Sequence, residues 1–461
     1  MQIVEKMKKI VSIVALLSLC MGSIAQERAE TGKRWSLKEC MIYALENSPR
    51  MDIQSSKNDI RRIDKREAAL SFLPSVSGSS YAYTNFGRSI DPETNTYTNT
   101  TSFNNSYSIG AELTLFNGFS IVNNYRINKI ARLSGVEESK QLENDICLNI
   151  IQAYYNLLYA QGMAKAAGEQ LSQSRETLRQ TIIQEELGIK SHTDLLQVEA
   201  LVASDDFNYI RQTNIYKQAL ITLKEIMFFP NDQELTVEEI NPEIILNMEG
   251  ISSQELYDIA VSHLPKVRLA ENSVRSAKLE LQTSKFRLLP SIYAAGGYST
   301  GYISLIGANT TPTPFWDQLK NRQGQYVQVG ISIPIFNSLT RHNTIARKKN
   351  SLNIAENEKK QVIKEVENEI QRAIQDMNGA HKEFVQADKR FSAQQAAHKA
   401  NQKRYEEGLI SVLELQTSSN QYLISQAERL NSAFTYLIKK RVVEYYKGTP
   451  YLLQIGDGGN L

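Results

Sequence analysis

Apolar side chains recur along this chain with two different periods, and the two periods occupy separate stretches. Over 326–336, Val327, Val329, Ile331, Ile333 and Ile335 alternate with Gln328, Gly330, Ser332 and Pro334. Over 107–116, Tyr107, Ile109, Ala111, Leu113 and Leu115 alternate with Ser108, Gly110, Glu112 and Thr114. A period of two gives a strand one apolar and one polar face. Companion strands are expected at 75–84 and 291–300, each just after a proline that ends a helix. Every one of these runs has about ten residues, the length that crosses a bilayer as a tilted strand. Asn/Thr/Ser-rich segments at 86–105 and 305–324 separate the members of each pair, without the short-turn signal of a soluble hairpin.

The other period is helical. Ile146, Ile150, Tyr154 and Leu157 step by four and three, a narrow stripe suited to helix–helix packing. Proline is absent from 120–186 and from 341–407, so nothing interrupts either helix. At 1.5 Å per residue each would run ~100 Å. Returning helices are expected at 193–227 and 413–446, with Gly188 and Gly408 placed where each long helix stops and reverses.

The two halves repeat one another. The capping box Ser36…Glu39 recurs as Ser252…Glu255. At the same offset Pro49 meets Pro265, and Leu73-Pro74-Ser75-Val76 meets Leu289-Pro290-Ser291-Ile292. At a slightly larger offset Leu115-Phe116-Asn117-Gly118 meets Ile335-Phe336-Asn337-Ser338, Gly188-Ile189 meets Gly408-Leu409, and Tyr216 meets Tyr436. Shared order and spacing make the chain a duplication. The expected organisation is a signal peptide at 1–25, a first repeat at 26–230 with its helical hairpin at 120–227, a linker at 231–249, a second repeat at 250–448 with its hairpin at 341–446, and a tail at 449–461.

Composition narrows the function. Lys+Arg 52 against Asp+Glu 50 leaves +2 over 461 residues, so charge gives no argument for nucleic acid. Lys6, Lys8 and Lys9, an apolar run over 10–19 and the small-x-small Ser23-Ile24-Ala25 read as a cleaved secretory signal. Leu19 before Cys20 is the wrong residue for a lipoprotein signal. Beyond the signal only Cys40 and Cys147 remain, neither a disulfide framework nor a metal spacing. No other segment has 18 consecutive apolar residues, which leaves a β-barrel as the way into a membrane. The sequence has no G-x-x-x-x-G-K-[ST] and no H-E-x-x-H, and the five histidines are scattered and read mostly as surface helix residues. The reading is therefore no enzyme, no catalytic residues, no metal and no cofactor. Four strands cannot close a barrel, and an open sheet edge cannot sit in lipid, so several chains must share one.

The chain resembles the TolC family of outer-membrane efflux and secretion channels. The likeness rests on the signal peptide, the duplicated unit, the Leu-Pro-Ser entry to a strand and the Phe-Asn-Gly or Phe-Asn-Ser exit. Above all it rests on the reversals Gly188-Ile-Lys-Ser-His-Thr-Asp194-Leu and Tyr405-Glu-Glu-Gly408-Leu-Ile-Ser-Val-Leu-Glu414-Leu. The resemblance implies a mostly α fold with a β-barrel contribution: a homotrimer with a twelve-stranded outer-membrane barrel continued by a periplasmic α-helical tunnel. It implies outer-membrane lipid, a periplasmic adaptor and an inner-membrane pump as partners. It implies that the reversals close the tunnel, with Glu414 in the acidic ring of the constriction. It implies adaptor contact at Gly188, Ile189, Thr193, Asp194, Tyr405, Gly408, Leu409 and Ile410; Ile410 stands where some relatives carry a gate-holding arginine. Two other readings compete: a periplasmic coiled-coil adaptor or scaffold without a pore, which leaves the strands unexplained, and an envelope hydrolase, which lacks a nucleophile and base.

Overall fold

The computed structural model describes residues 33–90, 95–99, 101–239, 253–306 and 313–454; the signal peptide, most of the linker and Ser252 of the second capping box lie outside them. Each repeat opens with two helices joined at a proline. α1 (Leu37–Asn47) and α2 (Pro49–Leu70) form the first pair, and each proline-led partner starts with Pro at its first turn, where a missing N–H costs nothing. The Ser36 capping box is complete: the Glu39 N–H donates to Ser36 Oγ at 3.3 Å, and the Ser36 N–H donates to Glu39 Oε2 at 2.9 Å. The strands β1 (Arg34–Trp35), β2 (Ser75–Asn85), β3 (Arg88–Ile90), β4 (Tyr97–Asn99) and β5 (Thr101–Asn117) surround and follow this pair in the chain. Next come α3 (Ser120–Glu186), α4 (His192–Met227) and β6 (Thr236–Val237). The second repeat supplies α5 (Ser253–His263), α6 (Pro265–Phe286), β7 (Ser291–Ile306), α7 (Phe315–Asn321), β8 (Gly324–Ser332), α8 (Thr340–Glu406) and α9 (Val412–Tyr446). Both α3 and α8 are unbroken helices of 67 residues.

The described elements group into two compact units. Of the described residues, the first takes 33–47, 149–239 and 388–434. There β1 pairs in parallel with β6, and the Tyr154 hydroxyl sits 3.1 and 3.0 Å from the carbonyls of Trp35 and Glu238. Trp35, Tyr43 and Phe229 close ring to ring beside this short sheet. The sequence stripe Ile150, Tyr154 and Leu157 is fully buried.

Of the described residues, the second unit takes those within 48–148, 253–387 and 435–454. Its helical core joins Leu256, Ala260, Leu264 and Val267 to Val366, Ile370, Ala373 and Val443. Ion pairs along α6 and α8 mark their antiparallel register: Lys266 with Glu369, Glu271 with Lys359 (3.0 Å), Lys278 with Glu356 (3.9 Å) and Glu280 with Lys348 (2.6 Å). Half-exposed, each is worth ~0–1 kcal/mol, so they select register more than they add stability.

The same unit holds a four-stranded antiparallel sheet in the order β2-β5-β7-β8. Nearly all of its residues are exposed or half-buried, so the described residues cover neither face as a sandwich would. The central strands extend beyond the expected spans, to Thr101 and Ile306, because each pairs with the other over that length. The expected polar loops carry short structure: β3 pairs with β4 inside the first, and α7 stands inside the second. The last strand stops at Ser332 rather than 336, since Pro334 has no N–H to give a ladder.

Candidate functional site

The sheet has two chemically distinct faces, and its register shows which residues share them. Leu113, Ala294 and Val329 form one apolar row across β5, β7 and β8, and Phe116, Ile292 and Ile331 form another. A bulge between Thr114 and Phe116 takes up Leu115 and keeps the rows in phase. The opposite face carries Glu112, Ala295 and Gln328, then Thr114, Tyr293 and Gly330, then Asn117, Ser291 and Ser332. On this polar face the ring of Tyr326 lies over Gly297 and the ring of Tyr293 over Gly330, where a Cβ would meet them at 2.6 and 2.3 Å. The apolar side chains of β8 point into solvent: Val327 is 91% exposed. Both β2 and β8 are edge strands among the described residues. Where β7 outruns β8, the buried Gln318 amide stands in for a strand, accepting from the Ile303 N–H at 3.0 Å and donating to the Ile303 carbonyl at 2.9 Å.

The reversals lie in the first unit and share one design. Gly188 takes φ +72° and Gly408 φ +75°, values an L side chain tolerates poorly. The Ile189 and Gly188 N–H groups donate to the carbonyls of Gln184 and Glu185; those of Leu409 and Gly408 donate to Arg404 and Tyr405. This double bond pattern satisfies the last carbonyls of each long helix and turns the chain. The starts of the returning helices differ. Ser191 and Asp194 make a full capping box, and the Ser191 hydroxyl and backbone N–H hold the Asp194 carboxyl below its usual range. At the second reversal Ser411 Oγ accepts from the Glu414 N–H at 3.3 Å, while the exposed Glu414 carboxylate makes no hydrogen bond or ion pair with the described residues.

The structure brings some of the expected tip residues together and separates others. Ile189 and Leu409 are 68% and 64% exposed, and Thr193 is exposed as well. Ile410 and Tyr405, expected at the surface, are buried with Val198, Leu201, Val412 and Leu415. The Tyr405 hydroxyl lies 3.4 Å from Thr181 Oγ1, and the Lys190 ammonium lies over its ring. Packing of α4 against the second reversal covers these two side chains, a contact that neither reversal's own sequence encodes.

A second correction concerns the histidines. His398 is buried rather than on the surface, stacked on Tyr422 at 5.3 Å and 8°, and neither ring nitrogen has a hydrogen-bond partner among the described residues. It borders a polar cavity with Gln170, Ser174, Gln402, Gln416 and Ser419. Burial pushes its pKa below the ordinary histidine value. The low-contrast sequence around it, Gln394-Gln395-Ala396-Ala397-His398-Lys399, carries no apolar period that would reveal an inward face. Cys40 and Cys147 are free thiols, both buried, and burial pushes each up to about 12. Among the described residues no three metal-ligating side chains cluster, and no helix is long and apolar enough to cross a membrane.

Two stretches of the chain, residues 43–227 and 256–440, match the family model described as outer membrane efflux protein. The chain belongs to that family. It is accordingly an outer-membrane channel of tripartite efflux systems, with a helical periplasmic portion, and the family is one of channels rather than enzymes. The duplicated, mostly helical plan with its few strands is the family's fold. Solved structures agree on that fold. The outer membrane protein VceC from Vibrio cholerae matches with a TM-score of 0.73 and 13% identity, over 88% of this chain and 95% of that one. The Campylobacter jejuni CmeC outer membrane channel matches with a TM-score of 0.68 and 16% identity, over 91% and 87%. The open state of the Neisseria gonorrhoeae MtrE outer membrane channel matches with a TM-score of 0.65 and 18% identity, over 90% and 88%. No curated protein sequence matches the chain.

Proposed function

We propose that three copies of this chain share one twelve-stranded barrel and conduct cargo that an inner-membrane pump delivers through a periplasmic adaptor. The observation that carries the trimer is the sheet: four strands, two open edges and an apolar row along solvent. In lipid the unpaired N–H and C=O groups of β2 and β8 would each cost several kcal/mol, whereas pairing with neighbouring chains satisfies both edges. The exposed Ile189 and Leu409 of the two reversals are the adaptor contacts, and Glu414 is the charge at the constriction. The chain carries no catalytic role in this reading. Mass measurement in detergent tests the assembly: a trimer is expected, and a stable monomer whose β2 and β8 amides resist exchange would overturn it.

A further inference from the structure

A groove opens where the sheet gives way to helices within the second unit. Two adjoining cavities, of about 570 and 420 Å³, share Asn117, Ser120, Ser284, Arg287 and Thr344 in their walls. The sheet register fixes the side on which it lies. Ser291 and Ser332 line it, and these are mutual partners in the polar row with Asn117; the apolar row Phe116, Ile292 and Ile331 points the other way. In an outer-membrane barrel the apolar face meets lipid and the polar face lines the conduit. The groove therefore belongs to the inner wall, an inference that rests on the channel reading.

Its charge is one-sided. Arg287, Arg341 and Lys348 stand in the walls against a single carboxylate among the described lining residues, Glu280. Glu280 is taken by Lys348 at 2.6 Å. Neither guanidinium, of Arg287 or of Arg341, has an acidic partner or a hydrogen bond among the described residues. The rest of the wall offers hydroxyls and amides, Ser120, Thr344 and Asn124 among them. Two forked cations on a concave surface beside hydroxyl donors suit a carboxylate, phosphate or sulfate group better than a water-filled wall requires. A concave wall also concentrates the field, raising the local level of counter-ions.

We propose that this groove is an anion-binding station on the conduit wall, taking multivalent anionic cargo through Arg287 and Arg341. The test uses the full-length protein with pyrophosphate as the probe. Single channels in a planar bilayer are recorded with pyrophosphate added, and calorimetry on the detergent-solubilised protein measures binding directly. The wild type should be blocked by pyrophosphate and should bind it. Arg287→Glu with Arg341→Glu should weaken both effects roughly tenfold, two partly solvated charge contacts being lost. Arg287→Lys with Arg341→Lys should keep most of the block. Equal block and binding in the wild type and the Glu variant would overturn the proposal, as would a conducting wild type that pyrophosphate neither binds nor blocks. Calorimetry tests the groove whether or not current flows, so a protein that binds pyrophosphate but never conducts would count against the channel reading alone.

Discussion

Leu409 and Ile410 are neighbours of the same chemical kind with opposite fates. Leu409 follows the left-handed Gly408 into solvent, while Ile410 turns back onto Tyr405 and Leu415. Substitution should separate them. Leu409→Asp removes nothing from a core, so membrane insertion and oligomer yield should stay intact while export is lost if the proposed adaptor docks on this exposed apolar tip. Gly408→Trp should act alike: no atom lies within 4 Å of a Cβ there, so the ring would project outward, at ~1 kcal/mol for the left-handed backbone. Ile410→Ala should instead loosen the reversal by about 2–3 kcal/mol, as deletion of a buried branched side chain does. Export measured beside amide exchange of the reversals checks all three; normal export by Leu409→Asp would move the docking surface elsewhere.

Helix α8 meets α9 through contacts that include histidine on tyrosine: His398 with Tyr422 in one unit, His381 with Tyr436 in the other. His398 is the sensitive one, since both ring nitrogens are buried without partners. The carboxylates nearest its cavity are Glu176 and Glu406 in the walls and Asp205, which accepts from Gln170. They would favour an imidazolium, but burial is the influence that prevails, and it lowers the pKa. A base whose packed-state pKa is lowered takes its proton more readily once the packing opens. The stability it contributes is complete above the ordinary value of ~6.5 and is lost as pH falls from there through the lowered packed-state value. Acid should therefore loosen this seam, and His398→Gln should flatten the response. Amide exchange of α8 and α9 between pH 7.5 and 5.5 (roughly, either side of that value) reads it; the same acid dependence in wild type and variant would remove His398 as the cause.

At the scale of the whole molecule, the proposed trimer would set three copies of each reversal around one axis. Asp194 is occupied by its capping box, whereas the exposed Glu414 carboxylate has no partner among the described residues. Symmetry would bring three such carboxylates toward one axis, where like charges attract cations. Glu414→Ala should accordingly reduce cation preference and block by multivalent cations in single-channel recordings. Unchanged selectivity would return Glu414 to a helix-start role. A reduced cation preference would instead mean that selectivity reflects two charge stations of opposite sign, Glu414 at the reversal and Arg287 with Arg341 at the base of the sheet.

What the sequence determined by itself was everything with a strong local period or punctuation. The strand alternation of Val327 to Ile331, the prolines that begin α2 and α6, the uninterrupted α3 and α8, and the glycines of both reversals follow from backbone sterics and side-chain spacing. The duplication made each reading twice over. The sequence could not decide which apolar tip residue faces water, because Ile410 and Tyr405 are covered by Val198 and Leu201 from the other repeat. Nor could it expose the buried His398, whose partner Tyr422 comes from another helix, or the groove that gathers Asn117, Arg287 and Arg341. Burial and electrostatic company are set by residues distant in sequence, and only the tertiary structure brings those together.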